Sequence, residues 1–284
     1  MTEVPADEVP AHLADDVTDA GVFQTVVDGY DAVYGALPAS RTFNEIWRAN
    51  AYGGDFPEEF AHIGFLTVGE GRRLLERLDV AEGEVVVDVA CGAGGPGLWA
   101  AQQTGATLIG VDPSATGLAA ASARARRVGL DQRSRFVHGT FEQTGLPDGA
   151  ADAIMTIEAF QYAPDKRAAI AEFFRIVRPG GAVAIVCFEV EPSKVEGLPV
   201  LGVDPIPDYS PLLESAGFTI EAYEETPGWQ ARVYGTFGAL VDNADTLVAE
   251  MGERAAAGAL AEAMLTVQMK PYPRRVFIAA RRPT

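Results

Sequence analysis

A doubly wound α/β fold with a parallel sheet is predicted by three observations. Apolar runs alternate with amphipathic helical stretches over most of the chain. The first of these runs, Val85 to Ala90, is rich in β-branched residues, as a strand buried on both faces should be. It leads directly into a glycine-rich turn and a helix start, Cys91-Gly92-Ala93-Gly94-Gly95-Pro96-Gly97. The 284 residues suffice for one large core.

The elements follow in order. Gly97 to Thr104 reads as the helix after the turn, and Ala106 to Val111 as a second strand ending at Asp112. Ala115 to Val128 is an alanine-rich amphipathic helix closed by Gly129. Arg135 to His138 and Ala153 to Ile157 are strands, and Lys166 to Val177 is a helix stopped by Arg178-Pro179-Gly180-Gly181. Ala182 to Phe188 is a further apolar strand, Pro211 to Ala216 a short helix and Phe218 to Tyr223 a strand. The last strand, Val276 to Ala280, is entered through Pro271 and Pro273. Residues 1–20 are expected to be a flexible arm, 21–80 a helical cap, 81–225 the core, 226–270 a helical insert and 271–284 the return to the sheet. The cap carries many aromatics, among them Tyr30, Tyr34, Phe43, Trp47 and Phe65, which suit an apolar pocket. Cap and insert together are expected to form a lid over the strand ends, where ligands of open α/β sheets bind.

Composition excludes several function classes. The net charge is -18, and the three lysines, Lys166, Lys194 and Lys270, form no basic patch, so nucleic acid is not an expected partner. No apolar run reaches membrane-span length, and the acidic first segment has no signal-peptide core. Cys91 and Cys187 both fall in predicted core segments, which points to a reduced, cytoplasmic protein rather than a disulfide scaffold. No metal-ligand set stands out.

Gly92-Ala93-Gly94-Gly95-Pro96-Gly97 matches G-x-G-x-x-G, with Asp112 about 20 residues on, where a ribose-binding carboxylate would stand. Nicotinamide enzymes share that spacing, and Tyr162 with Lys166 four residues later keeps such an oxidoreductase open as a rival. Two features tilt against it. Asp88 stands at the strand end, where dinucleotide folds hold an apolar residue, and Pro96 removes an N–H that a pyrophosphate would use.

The motif series resembles class I S-adenosylmethionine-dependent methyltransferases over roughly residues 80 to 225. Asp88-Val-Ala90-Cys91-Gly92-Ala93-Gly94 resembles their motif I, Ile109-Gly-Val-Asp112-Pro113-Ser114 their motif II, and Phe136 to Glu142 their adenine-binding turn. Asp152 to Asp165 resembles motif IV, and Arg178-Pro179-Gly180-Gly181 the turn before strand five. His62-Ile63-Gly64-Phe65-Leu66 is similar to a segment found ahead of motif I in small-molecule methyltransferases. The resemblance implies a Rossmann-like, seven-stranded, mostly parallel sheet with helices on both faces and a helical lid. It implies S-adenosyl-L-methionine as cofactor and S-adenosyl-L-homocysteine as product. Asp88, Ala90, Gly92, Gly94, Asp112, Pro113, Ser114, Thr140, Phe141 and Glu158 are the implied cofactor-binding residues, with Asp112 taking the ribose hydroxyls. The chain departs from the pattern at Ala90, where the family writes glycine, and at Thr140, where it often has Asp.

Methyl transfer is an in-line displacement that mostly needs positioning, and a hydroxyl nucleophile also needs a base. Related sugar O-methyltransferases carry a histidine after motif IV; here that place reads Gln161-Tyr162. His62, Glu158 and Tyr162 are therefore the catalytic candidates, His12 and His138 being placed in the arm and at a strand end. Phe65, Gln161, Trp229, Arg232 and Tyr234 are the acceptor-pocket candidates, the last three either lining the pocket or supporting it. The expected activity is methylation of a small apolar or aromatic natural product, on oxygen first, with carbon or nitrogen second. A cofactor-binding protein without turnover is the remaining rival, and a homodimer is left open.

Overall fold

The computed structural model describes residues 19–195, 205–269 and 273–284. Residues 1–18 of the expected arm, with His12, and Pro271 lie outside the described residues. The strands are β1 (Val85–Val89), β2 (Thr107–Asp112), β3 (Ser134–His138), β4 (Ala151–Ile157), β5 (Val177–Val190), β6 (Thr219–Glu225) and β7 (Pro273–Arg281). They form one sheet in the order β3-β2-β1-β4-β5-β7-β6. Pairing is parallel from β3 through β5, and β7 runs antiparallel between β5 and β6. The sheet is thus Rossmann-like and mostly parallel.

Both faces of the sheet are covered, which explains why its strands lack polar alternation. Along β1, Val86 enters one apolar cluster while Val87 and Val89 enter the other. In β7, Phe277 and Ala279 point to the first face, and Val276, Ile278 and Ala280 to the second. Strand β5 is longer than expected at both ends. Val177 pairs with Ala151 across a register shift, and the antiparallel β7 carries the ladder out to Val190.

The helices of the core are α4 (Gly95–Thr104), α5 (Ala115–Arg127), α6 (Lys166–Ile176) and α7 (Ser210–Ala216). Helix α4 starts two residues earlier than expected because Pro96 sits in its first turn, where the missing N–H costs nothing. Ser114 and Asp165 cap α5 and α6 by accepting the amides of Gly117 and Ala168. Ahead of β1 come α1 (Asp19–Ala36), α2 (Arg41–Ile46) and α3 (Val68–Leu78), with a π-helical turn at Trp47–Tyr52. The insert before β7 is α8 (Trp229–Asp242), α9 (Ala244–Met251) and α10 (Glu253–Met269). Helix α10 packs on α1 and α8, so the segment before the sheet and the insert meet each other beyond the strand ends.

A buried ion cluster joins these layers. Arg275 of β7 is 0% exposed. Its guanidinium donates to Glu158 at 2.6 Å, to Glu70 at 2.8 Å and to the Thr226 hydroxyl at 2.8 Å. Arg232 of α8 donates to the same Glu70 at 2.6 Å. Removing one partner of such a group leaves an uncompensated buried charge, a loss of about 3–5 kcal/mol. Arg275→Met is expected to lower the thermal midpoint by roughly 10 °C in calorimetry. Adding Glu158→Gln to that variant should recover part of the loss; an unchanged midpoint in Arg275→Met would show the cluster to be energetically idle.

Candidate active site

The turn after β1 turns back sharply through three left-handed residues, Ala90 (φ 63°), Gly92 (φ 50°) and Gly94 (φ 73°). A Cβ at Gly92 would overlap the hydroxyl of Tyr34, and one at Gly94 would come within 2.9 Å of Ala121. Ala90 carries its Cβ in this region at a cost of roughly 1–2 kcal/mol. It stands where the resemblance writes glycine.

Asp112, at the end of β2, anchors that turn. Its Oδ2 accepts the Gly92 amide at 2.7 Å and its Oδ1 the Ser114 amide at 2.8 Å. Pro113 spans the step between Asp112 and Ser114, half-buried. The Ser114 hydroxyl donates to Asp31 of α1 at 2.7 Å, and Asp31 also accepts the amide and hydroxyl of Thr116. Helix α1 is thereby fastened onto the β2–α5 turn. The Ser114 hydrogen bond holds the Asp31 carboxyl below its usual range, with help from Thr116.

Asp88 is buried, and burial together with the nearby Asp112 pushes its carboxyl up to about 8. Asp88, Ala90, Cys91 and Ala93 line a cavity of about 340 Å³ whose other walls include Tyr34, His62, Arg124 and Ile157. Arg124 donates to the Ala93 carbonyl at 2.9 Å, and burial pulls its guanidinium down to about 10. A buried carboxylate lacking a cation partner among the described residues, a guanidinium and a turn open to close backbone approach form a donor set that fits a zwitterionic amino-acid sulfonium. Thr140 and Phe141 are less exposed to ligand than expected. The Thr140 hydroxyl accepts the Gln143 amide at 3.2 Å and closes a turn, while Phe141 is buried edge-on against Phe160.

A second cavity, of about 300 Å³, lies beyond the end of β4. Phe43, Trp47 and Ile63 line both cavities, and the consecutive residues Ile157 and Glu158 line one each. The two cavities therefore abut at the carboxyl end of β4, beside the switch point between β1 and β4. The walls of the second include Tyr30, Phe65, Gln161, Tyr162, Lys166 and Glu262.

The catalytic candidates occupy different surroundings. Glu158 sits at φ 56° with its Oε1 on Arg275 and its Oε2 accepting the Phe65 amide at 2.5 Å. Its carboxylate is committed to the ion cluster and to the His62–Phe65 segment. His62 accepts the Gly64 amide on Nδ1, packs between the rings of Tyr52 and Phe56, and lines the first cavity. Burial pulls it down to about 3, so it takes up a proton poorly. Tyr162 donates to Glu262 at 3.0 Å. Gln161 donates to the Glu158 carbonyl at 2.7 Å.

Of the acceptor candidates, Phe65 and Gln161 line the second cavity; Trp229, Arg232 and Tyr234 are not in its wall. The indole N–H of Trp229 is spent on Glu225 and its ring on Phe188 and Tyr234, and Arg232 turns to Glu70. From α8 it is Phe237, two turns on, that reaches the cavity. Two members of the site carried no local signal in the sequence, Asp31 and Glu262, whereas Tyr34 was among the cap aromatics expected at a pocket. Arg275 had one, a charge at the start of an apolar strand run.

Residues 87–185 match the family described as "Methyltransferase domain". Methyltransferase GfsG of Streptomyces halstedii is 34% identical over 194 residues, which cover 62% of this chain and 70% of that protein. The 27-O-demethylrifamycin SV methyltransferase of Amycolatopsis mediterranei is 26% identical, covering 71% and 78%. The chain spans only 30% of the length of the sterol 24-C-methyltransferase erg6 of Aspergillus fumigatus, which it matches at 36% identity. In fold, the [4+2]-cyclase SpnF superposes with a TM-score of 0.70 at 22% identity, covering 94% of this chain and 98% of that one. The chain belongs to the class I S-adenosylmethionine-dependent methyltransferases, in the branch that acts on small molecules. S-adenosylmethionine is its cofactor, and no helix among the described residues is long and apolar enough to cross a membrane.

Two consequences of the loop can be measured. Ala90→Gly should raise unfolding free energy by about 1 kcal/mol in denaturant titration, because glycine has no Cβ to strain. An unchanged or lower stability would contradict the strain. Asp88 is raised in the folded state from 3.8 to about 8, so its contribution to the stability of the cofactor-free protein is full below the unfolded value and is lost as pH rises from there through about 8. Melting temperature plotted against pH should flatten over that window in Asp88→Asn; identical profiles would remove Asp88 as the cause.

Proposed function

We propose that this enzyme methylates a hydroxyl oxygen on an uncharged, apolar natural-product-like molecule. The observation that carries the reading is the pair of cavities meeting at Ile157–Glu158. One is built on the glycine turn and Asp88, the other is walled by aromatic side chains, and their junction suits a transfer between two bound molecules. S-adenosylmethionine, when bound, supplies a methyl group on a sulfonium whose leaving group is already good. The protein's task is then to hold the acceptor close and in line and to keep water out.

Candidate roles follow from the geometry. Asp88, Ala90, Gly92, Gly94, Asp112 and Ser114 hold and shape the cofactor side. Phe65, Tyr162 and Gln161 face the acceptor. Glu158 acts as a positioning residue, fixing the Phe65 segment against Arg275. Helix α1 and the α8–α10 insert form a lid over the acceptor cavity. Cys91 and Cys187 are buried and free, in keeping with a reducing, cytoplasmic setting.

The test is turnover with S-adenosylmethionine and a panel of apolar alcohols, phenols, amines and alkenes, followed by mass spectrometry of the product. Methyl ethers from alcohols or phenols are expected. Products methylated only on nitrogen or carbon would replace the oxygen reading, and no product from any class would point to cofactor binding without transfer.

A further inference from the structure

Glu262 of α10 is the one carboxylate in the acceptor cavity without a guanidinium on it, among the described residues. The other, Glu158, is committed to Arg275 and the Phe65 amide. Glu262 Oε1 accepts the Tyr162 hydroxyl at 3.0 Å and the Tyr30 hydroxyl at 3.3 Å, and its Oε2 lies 3.2 Å from Tyr30. Three chain regions far apart in sequence thus converge on one carboxylate in an apolar cavity: α1, the turn after β4, and the insert.

Holding a carboxylate in such a place costs several kcal/mol unless hydrogen bonds offset it. Two tyrosine hydroxyls offset part of that cost and leave Oε2 with acceptor capacity toward the cavity. Tyr162 is no base of its own, since burial and Glu262 push its phenol well above the usual range. Burial also raises Glu262, the two tyrosine hydroxyls working against it.

We propose that Glu262 is the proton acceptor when a hydroxyl is methylated, with Tyr30 and Tyr162 holding its carboxylate in place. The inference rests on the oxygen reading above. The balance is simple. The acceptor O–H proton passes to Glu262 Oε2, the acceptor oxygen bonds the methyl carbon, and the electron pair of the broken C–S bond stays on sulfur. Glu262 then returns its proton to solvent after product leaves.

The titratable groups around Glu262 are Tyr30 and Tyr34 on α1 and Tyr162 and Glu158 at the β4 end, with Lys166 elsewhere in the cavity wall; from α8 the wall receives Phe237, which does not titrate. Cyclododecanol serves as a neutral hydroxyl probe. It is titrated by calorimetry into the full chain saturated with S-adenosylhomocysteine, in wild type, Glu262→Gln and Glu262→Asp. Wild type should bind the alcohol more tightly as pH rises and Glu262 loses its proton. Glu262→Gln should bind it about fivefold more weakly, without that pH dependence, while S-adenosylhomocysteine affinity stays the same and so reports an intact fold. With an alcohol acceptor from the turnover panel, kcat should fall about 100-fold in Glu262→Gln and recover in part in Glu262→Asp, with KM for S-adenosylmethionine unchanged.

The proposal is overturned by failure of wild type to bind cyclododecanol, or by a Glu262→Gln enzyme that keeps the wild-type pH limb. Methyl ether formation that survives Glu262→Gln would sink this inference alone. A wild-type product methylated on nitrogen or carbon would sink the oxygen reading itself.

Discussion

The guanidinium of Arg275 is the interaction on which the site's architecture rests. It lies in the last strand, wholly buried, and draws together the end of β4, the start of α3 and the beginning of the insert. Glu70 does two jobs at once. Its carboxylate answers Arg275 and Arg232, and it closes the capping box of α3 by accepting the Thr67 amide. Glu158 likewise joins Arg275 to the Phe65 amide, which sets one wall of the acceptor cavity. Two arginines and two glutamates neutralise one another, which is what permits so many charges away from water. Fold stability and pocket shape are therefore coupled through one cluster.

A second fastening sets the opposite side. Asp112 holds the glycine turn by two backbone amides, and Ser114 passes the connection on to Asp31 of α1. The same helix carries Tyr34, whose hydroxyl rests against Gly92, and Tyr30, which reaches Glu262. The glycine turn and the second cavity thus share α1 as a roof.

The glycine turn gathers two buried carboxyl groups, Asp88 and Asp112. Asp88 and Asp112 are both raised, chiefly by burial, and each would be relieved by a neighbouring cation. The acceptor cavity is arranged differently. Its charges, Glu158, Glu262 and Lys166, are few and set into a predominantly aromatic and aliphatic wall. The two halves of the site thus differ in polarity as the two substrates of a small-molecule methyltransferase do.

Sequence alone determined the sheet, the glycine turn, the motif order and the cofactor, because each is written in residues close together along the chain. Val85 to Val89 had to be a buried strand, and Asp112 had to stand at the end of the next. Tertiary structure decided the acceptor side. Glu262 is one acidic residue in an alanine-rich helix, and nothing around it signals that Tyr30, 232 positions earlier, will reach it. Trp229, Arg232 and Tyr234 looked like pocket residues by type, yet the rotation of α8 turned them to Glu225, Glu70 and the core and sent Phe237 inward instead. Glu158 and His62 looked like bases until packing committed one to Arg275 and burial lowered the other. The reason is general to this fold. The glycine turn and the carboxyl groups of Asp88 and Asp112 ride on a single βαβ unit whose local geometry fixes their spacing, whereas the second cavity is assembled from segments that meet only when the chain has folded around the sheet.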